Sequence, residues 1–309
     1  MIRIGIPKQH TPGIRIFDKF IKNQSRTNKL VICFGVDDKY VWPLLVTMYS
    51  GKKTNPEFKK CHIAFDPLEL SSSNRIAIKR MAKIMGIQVQ FVKISLAFNG
   101  FALGHISNSA FLRLSLPEKL NQNFLWLDSD LLLLQGWNSL FSELSVLIDD
   151  DKPISVRKHW PFGRSLQNRA IIESGDGYFN SGVLLVNIKK WNSMGLDQKA
   201  LKTLEKYQEY NFEWADQCVL NFIIKNEYTR LNETFNTPPH EYDQARTKIL
   251  HFAGSVKPWS YSLNMNGQIE GVPQFPLADL PETNQAEAFL LYRRFELELV
   301  EKLSLRGNH

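Results

Sequence analysis

The stretch "FLWLDSDLLLLQGW", residues 124–137, sets two carboxylates, Asp128 and Asp130, into an otherwise apolar run. A short apolar run of this kind reads as a buried strand, and Asp128 stands where it ends. Strand side chains repeat every two residues, so an extended chain would turn both acids to one side. Two carboxylates on one side can share a divalent cation, or hold it against phosphate oxygens. An isolated buried carboxylate is costly or takes up a proton, and a bound cation removes that cost. The plainer reading of an isolated D-x-D is a solvated turn between two strands.

Four other stretches carry polar groups suited to the same site. In "HFAGSVKPW", 251–259, His251 can ligate a metal through a neutral imidazole, Gly254 permits close backbone approach, and Lys257 can neutralise a diphosphate. In "YFNSGVLLVNIKKW", 178–191, Asn180 and Ser181 offer an amide and a hydroxyl suited to sugar hydroxyls, and Gly182 allows a tight turn. In "WADQCVLN", 214–221, Asp216 stands at an expected helix start, where it is also a natural N-cap. In "FGVDDKY", 34–40, Asp37 and Asp38 follow the first strand. Each stretch alone has a structural reading as a turn, a cap or a loop. A phosphatase of the haloacid dehalogenase type also places DxD after a strand. It does so near the N-terminus and with Thr or Val next, whereas Leu131 follows here in mid-chain.

The elements that must position these groups alternate in the first 130 residues. "KLVICFGV", "CHIAF", "IQVQFVKI" and "NFLWLD" read as strands. Between them, "VWPLLVTMYS", "SSSNRIAIKRMAKIMG" and "SNSAFLRLSLPEKL" read as helices, the second with serine caps and a Gly86 stop and the third ending around Pro117. That rhythm implies parallel strands with crossover helices, whose ligands bind beyond the strands' carboxyl ends. The second half is less regular. It holds a strand at "GVLLVNI", helices at "DQKALKTLEKYQEY" and "ADQCVLNFIIKN", and a long aperiodic loop over 157–178. That loop could close over the site, and its Arg157, Lys158, Arg164 and Arg169 could meet a phosphorylated glycan. Near the C-terminus, Ala288, Tyr292, Phe295, Leu299 and Leu303 share one helical face, expected to pack on the domain, with a membrane surface as the alternative.

Composition narrows the class. Hydrophobic residues make up 43% of 309, enough for a sizeable core. No apolar run is long enough for a membrane helix, and no leader peptide is evident, so a cytoplasmic protein is expected. Three widely spaced cysteines make neither a disulfide framework nor a CxxC metal site. A net charge of +7 suits anionic ligands such as nucleotide diphosphates, while the absence of a basic run or motif argues against nucleic acid.

In this order and at these separations the motifs resemble glycosyltransferase family 8, from about residue 30 to 260, with Arg113 in "HISNSAFLRLSLPEKL" matching a family arginine. The likeness is to bacterial enzymes that add galactose or glucose to lipopolysaccharide or lipooligosaccharide, and more distantly to glycogenin-like proteins. It implies an α/β, GT-A fold: a Rossmann-like, mostly parallel central sheet flanked by helices, an irregular acceptor-side half and a C-terminal helix. The implied organisation is an N-terminal extension over 1–28, a catalytic domain over 29–265 and a helical segment over 266–309. Carried across, Asp128, Asp130 and His251 would hold Mn²⁺, with Mg²⁺ as a second candidate. Gly35, Val36 and Asp37 would meet the uridine, Ser129 the ribose, and Gly254 and Lys257 the diphosphate. Arg113, Asn180, Ser181, Asp216 and Gln217 would surround the donor sugar, with Asp216 and Gln217 catalytic.

The implied activity is retaining, Mn²⁺-dependent transfer of a hexose from UDP-galactose or UDP-glucose to a glycolipid or oligosaccharide, in the cytoplasm, with a peripheral contact at the inner face of the cytoplasmic membrane as the alternative. One departure stands out. The family often reads Asp-Gln-Asp where this chain reads Asp216-Gln217-Cys218. An amide is a poor nucleophile, so front-face transfer is expected, with Asp216 and Gln217 orienting the sugar. The alternatives are a catalytically silent nucleotide-sugar-binding protein and a glycogenin-like self-glucosylating one.

Overall fold

The computed structural model describes residues 30–96, 108–158, 177–207, 214–254, 257–260, 262–263, 269–270 and 283–306. The lead-in expected over 1–28 and most of the loop expected over 157–178, including Arg164 and Arg169, lie outside them.

Four strands form the parallel half of the main sheet: β1 (Val31–Gly35), β2 (Lys60–Phe65), β3 (Gln88–Lys93) and β4 (Phe124–Leu127). They lie in the order β3-β2-β1-β4, each parallel to its neighbour. Beyond β4 the sheet continues with β7 (Val183–Val186), β6 (Ile154–Val156) and β8 (Tyr228–Arg230). β7 is antiparallel to both β4 and β6, and β6 is parallel to β8, so the sheet is mixed as well as mostly parallel.

The central strands are apolar throughout because both faces are covered. Leu125 and Leu127 of β4 enter one core with Ile32 and Phe34, while Phe124 and Trp126 enter a second core with Cys33. The first core is covered by α1 (Val41–Thr54) and α2 (Ser72–Met85). Helix α2 follows its sequence signals: Ser71 caps the Asn74 amide, and Gly86 closes the helix at φ +73°.

The helix expected from "SNSAFLRLSLPEKL" up to about Pro117 is broken. It is a 3-10 turn (Asn108–Phe111), one α turn, α3 (Leu112–Ser115), and a second 3-10 turn (Pro117–Lys119). Pro117 has no amide hydrogen to continue the ladder, and Arg113 is buried with its guanidinium against Asp128 just past the carboxyl end of β4.

A small second sheet sits against the carboxyl ends of the parallel strands. Its order is β5 (Leu131–Leu133), β10 (Ile249–His251) and β9 (Phe235–Thr237). β10 runs antiparallel to β5 with His251 opposite Leu131. The second core is closed by helices that include α4 (Ala215–Ile224), which holds Val219 and Leu220 in it.

The C-terminal helix α5 (Thr283–Arg306) packs on the domain. Ala288, Tyr292, Phe295 and Leu299 are buried. Each large apolar side chain so buried contributes about 1.5–3 kcal/mol. Tyr292 packs on Phe252 and Trp259, and the Trp42 indole donates to Glu296 at 2.7 Å. Leu290, Leu297 and Leu305 lie exposed on the outer side. Among the described residues no helix is long and apolar enough to cross a membrane. Cys33, Cys61 and Cys218 are buried.

Candidate active site

A cleft of about 440 Å³ opens at the carboxyl ends of β1 and β4. All fourteen sequence-predicted residues line it: Gly35, Val36, Asp37, Arg113, Asp128, Ser129, Asp130, Asn180, Ser181, Asp216, Gln217, His251, Gly254 and Lys257.

The backbone explains several of them. Gly35 admits the Trp126 ring, because a Cβ there would lie 2.5 Å from Trp126 Cη2. Asp37 caps the 3-10 turn Asp38–Tyr40, its Oδ1 accepting from the amides of Lys39 and Tyr40 at 2.9 Å each. After Leu127 the chain bends instead of staying extended, and the Ser129 hydroxyl ties that bend to the carbonyl of Gly35. Gly254 adopts φ +97° with open space around it, so its backbone conformation asks for glycine. Asp216 is not the N-cap of α4. It lies in the first turn, buried, after Ala215 at φ +44°.

The bend and the β5–β10 pairing bring Asp128, Asp130 and His251 together, with ligand atoms within 4.8 Å of one another. His251 Nε2 lies 3.3 Å from Asp130 Oδ1 and 3.8 Å from Asp128 Oδ2. Gly182 lies beneath them, and a Cβ there would come 2.1 Å from His251 Cε1 and 3.0 Å from Asp128 Oδ2. Two carboxylates and one imidazole, converging over a glycine that keeps the floor clear, fit a divalent cation with mixed oxygen and nitrogen ligands.

Two fixed cations hold the acids. Arg113 bridges Asp128 (Nη2–Oδ1, 2.9 Å) and Asp216 (Nε–Oδ2, 2.8 Å), and donates to the Ser181 carbonyl. Trp126 Nε1 donates to the same Asp128 oxygen at 2.9 Å. Lys257 donates to Asp130 Oδ2 at 2.6 Å and to the Phe252 carbonyl at 2.7 Å.

Burial alone would raise the Asp130 carboxyl, but Lys257 and His251 hold it far below the ordinary carboxylate range. Burial pushes Asp216 up to about 7 against the pull of Arg113, with the Asp128 charge adding to the rise. Burial, then the charges of Asp130, Asp37 and Asp128, also push the Tyr40 hydroxyl up. Three carboxylates face two cations at the centre of the cleft, so an anionic ligand would enter most readily with a metal ion.

Another part of the lining is built of amides. Gln217 Oε1 accepts from Ser181 N at 3.1 Å and Asn180 Nδ2 at 3.0 Å, and its Nε2 donates to the Tyr178 hydroxyl at 3.0 Å. The Ser181 hydroxyl donates to Asp216 at 3.3 Å. Asn221, one helical turn after Gln217, bonds both backbone groups of Phe179. Cys218 lies in the second core, 3.7 Å from the Tyr178 hydroxyl, and is not among the residues lining the cleft.

Arg157, expected to meet substrate, is buried. It pairs with Glu241 and donates to the Asn236 carbonyl at 2.7 Å. Sequence reasoning missed Tyr40, Ser109, Trp126, Trp214 and Pro238–His240 in the lining, and Asn236 behind it. Trp126 could have been found, since it stands two residues before Asp128 and shares its direction along a strand.

The chain is similar to known proteins. The chain is 29% identical over 258 residues to glycosyltransferase GlyE of Streptococcus pneumoniae, covering 76% of this chain and 58% of that one. It is 31% identical over 94 residues to lipopolysaccharide 1,3-galactosyltransferase of Salmonella typhimurium, covering 27% and 28%. It thus spans less than two thirds of the length of either relative. Among solved structures, galactosyltransferase LgtC in complex with donor and acceptor sugar analogs superimposes with a TM-score of 0.67 at 23% identity, covering 87% of this chain and 96% of that one. The mixed sheet, its flanking helices and the C-terminal helix are therefore a GT-A fold. Residues 31–262 match the pattern of glycosyl transferase family 8, and the chain belongs to that family.

Proposed function

We infer that the protein transfers a hexose, galactose or glucose, from a UDP-sugar to a saccharide acceptor, with retention and with Mn²⁺. The lipopolysaccharide or lipooligosaccharide core is the acceptor class, supported by the segment shared with the Salmonella galactosyltransferase. The observation that carries the reading is the convergence of Asp128, Asp130 and His251 at the ends of the parallel strands. Bound there, a divalent cation supplies Lewis-acid neutralisation of the departing diphosphate. Lys257 adds positive charge beside it, and Gly254 leaves backbone room for it.

On the amide wall, Gln217 orients. Its carbonyl oxygen already accepts two hydrogen bonds, so its lone pairs are engaged and an attack through that oxygen is disfavoured. Front-face transfer meets this constraint. The anomeric carbon–phosphate oxygen bond breaks, the acceptor oxygen bonds to the same face, and the acceptor's proton passes to the departing phosphate oxygen. Arg113 holds Asp216 and Asp128 in place around the sugar. Cys218 does not strip an acid from the cleft, because its side chain lies in the core behind Gln217.

The test is UDP release and hexose transfer to truncated lipooligosaccharide with UDP-galactose and UDP-glucose, read by mass spectrometry. Asp130→Ala should abolish Mn²⁺-dependent turnover, a loss on the order of a thousandfold or more. Full activity in that variant refutes the metal role.

A further inference from the structure

Asn236 lies in none of the sequence motifs, yet it joins the carboxylate side of the cleft to the amide side. It is buried in β9 with its backbone at φ +76°, a left-handed conformation that asparagine adopts more readily than other non-glycine residues. Its Oδ1 lies 2.6 Å from His251 Nδ1, and its Nδ2 lies 2.8 Å from Asn180 Oδ1.

A backbone amide fixes the direction of both bonds. The Gly182 N–H can only donate, and it lies 2.9 Å from one terminal atom of Asn180, so that atom is the oxygen. The Asn236 atom that faces this oxygen is then the NH₂ nitrogen, and the remaining Asn236 atom is the carbonyl oxygen. His251 Nδ1, facing that oxygen, carries a hydrogen. The Ser181 N–H orients Gln217 in the same manner, and the polarity agrees: Asn180 Nδ2 donates to Gln217 Oε1. A neutral His251 therefore has its proton on Nδ1 and its lone pair on Nε2. Nε2 is the nitrogen that faces Asp130 and Asp128.

We propose that Asn236 is a positioning residue that locks His251 as the Nδ1–H tautomer, aims Nε2 at the cation site, and holds Asn180 with its other end. The cation rests on the function inferred above, while the tautomer lock stands on hydrogen-bond geometry alone. Partners that orient a ligating imidazole set its affinity for metal.

Two variants test the lock. Asn236→Gly removes both bonds and keeps the backbone conformation, which glycine adopts freely. Asn236→Asp keeps an acceptor for the imidazole and loses the donor to Asn180. Metal-free chain labelled with ¹⁵N-histidine reports the tautomer by NMR, with His251→Gln assigning the signal. Electron paramagnetic resonance titration reports Mn²⁺ affinity. The expected result is Nδ1–H in the wild type, loss of that tautomer with about 10–100-fold weaker Mn²⁺ binding in Asn236→Gly, and return of both in Asn236→Asp. A wild-type ring with no hydrogen on Nδ1 overturns the proposal. So does an Asn236→Gly chain with unchanged tautomer and Mn²⁺ affinity. A wild type that shows Nδ1–H but binds no Mn²⁺ supports the lock and overturns the metal reading.

Discussion

The two walls of the cleft hold their polar groups by different means. On one, Asp128, Asp130 and Asp216 are placed by Arg113 and Lys257, charge against charge in a buried setting. On the other, Asn180 and Gln217 are placed by each other and by backbone groups, and Asn221 behind the lining fixes the backbone of Phe179 and Gln217. The charged wall gains strong, short contacts, but each charge depends on a partner that must also stay buried. The amide wall gains less per contact and carries no charge to strand. A site that must accept a cation and a diphosphate needs the first kind of wall, while one that must hold a neutral sugar still is served by the second.

The largest effect that would separate the walls comes from Arg113→Met. It leaves Asp128 and Asp216 without their shared guanidinium and should cost about 3–5 kcal/mol in denaturant unfolding. Arg113→Lys should recover only part, because one ammonium cannot bridge two carboxylates as the planar fork does. A loss below about 1 kcal/mol for Arg113→Met would mean that water reaches the acids freely and that the contrast between the walls fails.

Next comes pH. The Asp216 carboxyl is raised by burial from its ordinary 3.8 to about 7. A group raised on folding stabilises fully below its unfolded pKa, and that contribution is lost as pH rises through the folded one. In metal-free protein this group should subtract stability between about pH 4 and 7, by at most about 1.4 kcal/mol per pH unit. Asp130, lowered on folding, acts in the opposite sense and loses its contribution as pH falls. The difference between wild type and Asp216→Asn isolates the first group. An identical slope in both chains would show that Arg113 keeps Asp216 charged throughout.

The smallest effect belongs to the amide wall. Asn221→Ala removes bonds at 2.9, 2.9 and 2.8 Å to the backbone of Phe179 and Gln217. It should cost about 1–3 kcal/mol, by the same amount at low and at neutral pH. A pH-dependent loss would tie Asn221 to the titrating wall and blur the distinction.

Much of the parallel half was legible because its strands are covered on both faces, which turns "VICFG" and "FLWL" into continuous apolar runs. The acids at the end of β4 were legible for the same reason, standing out against that run. Their convergence was legible only in outline. An extended strand would have aligned them, but a bend tied by Ser129 sets their directions. The broken helix around Arg113 was read as continuous because leucines and Phe111 keep an apolar period through it. Asn236 left no local trace, since its importance lies in neighbours 15 and 56 residues away along the chain. The place of Cys218 was not legible either: the sequence showed an acid missing after Gln217 but not that the thiol at that position sits in the core.

The pairing of β5 with β10 has a consequence for how this site can change. The acids sit just before β5, His251 is the residue opposite Leu131, and the Phe252 amide bonds the Asp130 carbonyl at 3.0 Å. The reach from acids to imidazole is therefore measured out in main-chain steps. A slip of one step would move the ring about 3.4 Å along the ladder and swing it through to the far side. Divergence in "KILHF" can proceed freely by exchange of one apolar side chain for another. A single-codon insertion or deletion there, though it alters no group in the cleft, would dismantle the cation site as thoroughly as loss of the histidine.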